Sequence, residues 1–134
     1  MGTWDIGTFD NDTACDWAYE LESSSDLSVI EKSIDAVLEE DEIDADYACE
    51  ALAAIDTIVR LQGHSGIQNA YTEVVDRWVE KHQFNIPQEL IEKAQKAISL
   101  ILSEKSELYE LWLESNDFDA WKADVQSLAH RLST

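Results

Sequence analysis

Apolar residues recur at steps of three and four along nearly the whole chain, and strand-like alternation never lasts beyond a few positions. Ala14, Trp17, Ala18 and Leu21 mark a first helix that starts at Asp10, Asn11 or Asp12. With Asp10 as N-cap, Phe9 stands one residue ahead and would fold back on the first turn as a hydrophobic staple. Leu27, Ile30, Ile34, Val37 and Leu38 mark a second helix, with Ser25 or Asp26 to accept from its free first-turn amides. The segment from Asp44 to Leu61 is apolar nearly all round, which predicts a central helix whose alanines let neighbours approach closely. Asp56 and Arg60 form an i,i+4 pair there, expected on its wet side. Gly63 is placed to end that helix in the left-handed conformation, and residues 62–69 read as a loop.

The second half repeats the pattern. Tyr71, Val74, Val75, Trp78 and Val79 predict one helix, and Pro87 opens another along Leu90, Ala94, Ala97, Ile98 and Ile101. Leu108, Leu111 and Trp112 predict a short helix after a break at Ser103 or Ser106. Asn116 or Asp117 caps a last one with Phe118, Trp121, Val125, Leu128 and Leu132 inward. The expectation is an all-α fold: one domain over 1–134, an irregular bundle of six to seven helices with a short irregular N-terminal arm over 1–9. Each half is too short for a comfortable core of its own.

Charge changes this picture most. The chain has 29 acidic and 9 basic residues, a net charge of -20. Residues 1–67 hold 17 acidic and 2 basic residues, and residues 68–134 hold 12 and 7. The densest run is Glu39, Glu40, Asp41 and Glu42, followed by Asp44 and Asp46, at a joint between two helices. A chain this negative is not expected to bind nucleic acid by counterion release. Anionic membrane surfaces would repel it, and no stretch approaches the ~20 apolar residues needed to span a bilayer. The N-terminus lacks the basic and apolar regions of a signal peptide, and Ile6 stands where a myristoylation motif needs Ser or Thr. A cytoplasmic location is expected, with Cys15 and Cys49 as reduced, buried thiols.

Chemical motifs are incomplete. Asp10, Asn11, Asp12 and Asp16 resemble the start of a calcium loop, but Ala14 and Cys15 stand where an oxygen ligand and a glycine are needed. Capping and dipole complementarity are the preferred account of these residues. Gly63-His64-Ser65-Gly66 ends in Ile67 where a nucleophile elbow needs glycine, and no strand precedes it. His64, His82 and His130 lie far apart, and Ser25-Asp26-Leu27 has the wrong order for a carrier-protein attachment site. No phosphate loop exists, and no cofactor is implied.

Met1-Gly2-Thr3-Trp4, Gly7, Phe9-Asp10-Asn11-Asp12, Ala14, Asp16-Trp17 and Glu20-Leu21 resemble the opening signature of the bacterial family called domain of unknown function 4259. Ser106-Glu107-Leu108, Leu111-Trp112, Trp121 and the stretch from Leu128 to Leu132 resemble its C-terminal pattern. Asp5 departs from the glycine usual in the family, which implies a stiffer arm. The resemblance implies a small bacterial cytosolic protein and carries over no catalytic residue. Its N-terminal signature then reads as a folding motif, with Trp4 and Phe9 clamping the first helix and Asp10 or Asp12 capping it.

The leading functional expectation is a non-catalytic interaction module whose acidic patch, Glu39 to Asp46, binds a basic protein partner as an inhibitor or immunity protein would. One alternative is a metal-dependent enzyme or binder using Asp10, Asp12 and Asp16. Another is a structural subunit whose apolar stripes pair between chains.

Overall fold

The structure, a computed structural model, describes residues 6–64, 66 and 68–132. Trp4, and with it one half of the expected clamp, lies outside the described residues. Among the described residues there are seven helices: α1 (Asp12–Glu22), α2 (Ser28–Glu39), α3 (Ala45–Leu61), α4 (Glu73–Lys81), α5 (Gln88–Ile101), α6 (Glu107–Leu113) and α7 (Phe118–Leu132). No strand occurs among them beyond one isolated parallel bridge between Ile43 and Ser106.

The near-absence of polar positions on α3 has its expected consequence. Every residue from Ala51 to Arg60 is buried, and α3 touches all six other helices. Small side chains at Ala48, Ala51, Ala53 and Ala54 let α1, α2 and α7 pack close around it. The helix ends as a Schellman motif. Gly63, at φ 85°, donates its N–H to Arg60 O at 3.1 Å, and His64 donates to Val59 O at 3.0 Å.

Caps follow sequence chemistry with local shifts. Asn11, not Asp10, is the N-cap of α1, and its Oδ1 accepts from Ala14 N at 2.8 Å. Phe9 is therefore two residues ahead of the cap and is buried in the core instead of acting as an N′ staple. Leu27 occupies the N-cap of α2, and Asp26 still serves that end by accepting from Ser28 N at 3.0 Å. Tyr71 lies exposed in the turn before α4 and is not part of the helix. Ser106 caps α6 by accepting from Tyr109 N at 3.2 Å.

The four described tryptophans are buried. Trp17 Nε1 donates to Ser33 Oγ, and Trp78 Nε1 donates to Ser24 O, both at 2.8 Å, so each indole buries its polar atom with a partner. Trp112 and Trp121 stack with centroids 5.9 Å apart and fasten α6 to α7. The stripes of α5 and α7 are consumed within the chain: Leu90, Ala97, Ile101, Val125 and Leu132 are all core. Cys15 and Cys49 are free, with Cys49 buried and Cys15 half-buried.

Candidate functional site

Two regions collect charged side chains, one at the start of α3 and one near its C-terminal end. The first is the acidic joint. Glu39 ends α2, and Glu40, Asp41 and Glu42 lead exposed into Ile43, which is 1% exposed. Ile43 anchors the joint through two backbone bonds. Its N–H donates to Lys105 O at 2.8 Å, and its carbonyl accepts from Glu107 N at 2.9 Å. That bridge brings a second acidic segment alongside the first. The result is a cleft of about 700 Å³ lined by Asp41, Glu42, Asp44, Glu104, Lys105, Glu107 and Glu110.

Two members of the cleft also support the fold. Asp44 caps α3 by accepting from Asp46 N at 2.8 Å, and Glu107 accepts from Ala45 N at 3.0 Å. Asp46 accepts from Thr13 Oγ1 at 2.9 Å and so ties α3 to α1. Among the described residues, Glu39, Glu40, Asp41, Glu42, Asp44 and Asp46 form no ion pair with Lys or Arg. The rest of the first half is less bare than its composition suggested. Glu22 pairs with Arg77 at 3.6 Å, Lys93 lies 3.6 Å from Glu31 and 3.1 Å from Asp35, and Asp56 pairs with Arg60. The fold thus pairs second-half cations with α1 and α2, while Lys105 lines the cleft without coming within ion-pair distance of the joint's carboxylates.

The joint's negative field is felt by its neighbours. Burial pushes the Cys49 thiol up to about 12, with help from Asp46, Glu50 and Asp44. Burial likewise raises Glu50 above the usual carboxylate range, and Glu20 and Asp46 add to the rise.

The second region is a polar pocket of about 310 Å³ beneath the Gly7–Asp10 turn. That turn closes on itself. Asp10 N donates to Gly7 O at 3.1 Å, and Gly7 N donates to Asp10 Oδ2 at 3.0 Å. A Cβ on Gly7 would strike the Asp10 carboxylate, so glycine is what permits this closure. Phe9, Asp56, Arg60 and Thr72 form the buried floor, while Asn69 and Ser127 stand at the exposed rim.

The sequence placed Asp56 and Arg60 on the wet side of α3, and the structure corrects this. They are 5% and 4% exposed, because the narrow polar strip faces the Gly7–Asp10 turn and α7, not water. Arg60 Nε donates to Asp56 Oδ1 at 2.8 Å, and its Nη1 donates to Asp76 Oδ1 at 2.7 Å. The second oxygen of Asp76 accepts from Thr72 Oγ1 at 2.8 Å. Burial pushes Asp56 upward against the pull of Arg60 and Arg131, and a Thr8 side-chain hydrogen bond also favours its charged form. Burial raises Asp124 on α7 too, and the nearby Asp56 and Asp10 reinforce that rise against Arg131.

The N-terminal motif is split between these roles. Asp10 lines the pocket, Asn11 caps, Phe9 and Trp17 are core, and Asp12 and Asp16 are exposed on α1. Asp10, Asp12 and Asp16 do not meet at one point: among the described residues, no three His, Cys, Asp or Glu side chains gather as a metal-holding group. Sequence reading missed Asp76, Asp124 and Arg131. The available signal was a charged pair on a helix that is otherwise apolar, which water alone does not explain.

A family model described as Domain of unknown function (DUF4259) matches residues 2–124. No curated protein and no solved structure matches the chain. The matched segment contains the acidic joint, the pocket carboxylates Asp10, Asp56 and Asp124, and Asp76 behind Arg60, while Arg131 lies beyond it.

Proposed function

The chain belongs to the DUF4259 family, and on that premise we propose that it is a non-catalytic interaction module that binds a basic protein segment in the acidic cleft. The observation that carries this reading is the convergence of two acidic segments. Asp41, Glu42 and Asp44 from one joint meet Glu104, Glu107 and Glu110 from another across a single concavity. Lys105 is the one cation among the described residues that line it. Like charges held this close oppose folding, whereas a bound Lys/Arg-rich segment would turn the same repulsion into attraction. Capture of a basic protein as its inhibitor is the extension of this reading.

The test is titration of a Lys/Arg-rich decapeptide into the full chain at low and moderate salt, read by calorimetry. Saturable binding that weakens with salt is expected. A variant carrying Asp41→Asn, Glu42→Gln, Glu104→Gln and Glu110→Gln should lose most of the affinity. Equal binding by this variant, or no binding by the parent at low salt, would refute the assignment. Asp44 and Glu107 are left in place because they hold the end of α3.

A further inference from the structure

The pocket beneath the Gly7–Asp10 turn is a different kind of site, and nothing in the cleft reading uses it. Its floor holds the buried Asp56–Arg60 ion pair, which is costly to desolvate. Arg60 is committed: Asp56 and Asp76 hold two of its nitrogens, and its guanidinium carbon lies 5.9 Å from the Phe9 ring centroid. It cannot swing out without abandoning the buried Asp56 and the part-buried Asp76. Asp124 also lines the cavity, half-buried and within the field of Arg131, but with no hydrogen bond and no ion pair among the described residues. Three carboxylates, Asp10, Asp56 and Asp124, line the cavity against the guanidinium groups of Arg60 and Arg131, and Arg60 is shared with Asp76, which lies outside the lining.

We propose that this cavity binds a small organic cation, a primary ammonium or guanidinium on a short apolar stem, with Asp124 as its counter-ion. The imbalance calls for positive charge. The buried Phe9 floor offers apolar contact to a stem, and Ser127 and Asn69 stand at the rim beside an incoming head group. A cavity of about 310 Å³ suits a small molecule. The described side chains do not supply the three acidic, Cys or His ligands a bare divalent ion would draw on.

The experiment titrates butylammonium and butylguanidinium into the full chain, with butyrate and sodium chloride at equal ionic strength as controls. Amide and side-chain NMR shifts provide the readout. Saturable shifts confined to Phe9, Thr72, Asp124 and their neighbours are expected from the two cations only. Asp124→Asn, which keeps the side-chain shape, should weaken binding by about tenfold or more. Ser127→Phe, an exposed rim change on α7, should block entry while leaving the fold intact. The cleft variant described above should bind both cations unchanged. Saturable binding of butyrate in place of the cations, undiminished binding by Asp124→Asn, or shifts no larger than those from sodium chloride would overturn the proposal.

Discussion

The acidic joint and the polar pocket hold comparable sets of carboxylates, and the fold treats them in opposite ways. Around the pocket floor, Asp56 is taken out of water and Asp76 partly so, and each is given a guanidinium nitrogen within 2.8 Å. At the joint, Asp41 and Glu42 are left in water with no cation within ion-pair distance among the described residues. Burial is what separates the two. A desolvated carboxylate must be matched or protonated, whereas an exposed one is solvated and costs only its repulsion from neighbours. Pairing therefore marks where the structure depends on charge, and its absence marks where charge is available to something else.

The strongest way to break this contrast is to remove the matched cation. Arg60→Met should destabilise the fold by about 3–5 kcal/mol, because it strands Asp56 and Asp76 without their partner. Urea unfolding would measure it, and a loss below about 1 kcal/mol would mean that water already reaches the pair. A smaller effect tests whether the joint is uniform. Asp44→Ala should cost about 1 kcal/mol through loss of the α3 cap, whereas Asp41→Ala should be neutral or slightly stabilising. Thermal melts of the two variants side by side would show it.

The smallest effect concerns pH. Burial raises Asp124 and Glu50, so the native state holds their protons at pH values where the unfolded chain has released them. Their contribution to stability therefore falls as pH rises through the window above the ordinary carboxylate range. Acidification from about pH 7 to about pH 5 at constant ionic strength should raise Tm by a few degrees. Asp124→Asn should show a smaller rise. A Tm that drops over this interval would show that paired carboxylates dominate instead.

Much of the bundle was legible because helical period and caps are local. The start of α3 near Asp44, its Gly63 terminus and its nearly all-apolar surface needed no knowledge of distant residues. The pocket was not legible, because it is assembled from segments far apart in sequence: the turn at 7–10, the polar strip of α3, Thr72 and α7. Asp56 and Arg60 were recognised as a pair, but i,i+4 spacing states only that two side chains meet. Whether they meet in water depends on what covers that face. The cleft was half legible for the same reason. The run from Glu39 to Asp46 stood out, yet its partner segment at 104–110 is brought alongside only by Ile43. A single isoleucine within a charged run was the signal for that anchor.

That lone isoleucine also governs how the joint behaves as a mechanical part. With one side chain sunk in the core and two backbone bonds to the α5–α6 connection, Ile43 acts as a rivet through an otherwise wet strap. From Ile43 the contacts run to the start of α6, and through the stacked Trp112 and Trp121 to α7, which carries Asp124 and Ser127 of the pocket. The two charged regions, separate in chemistry, are joined by one chain of contacts.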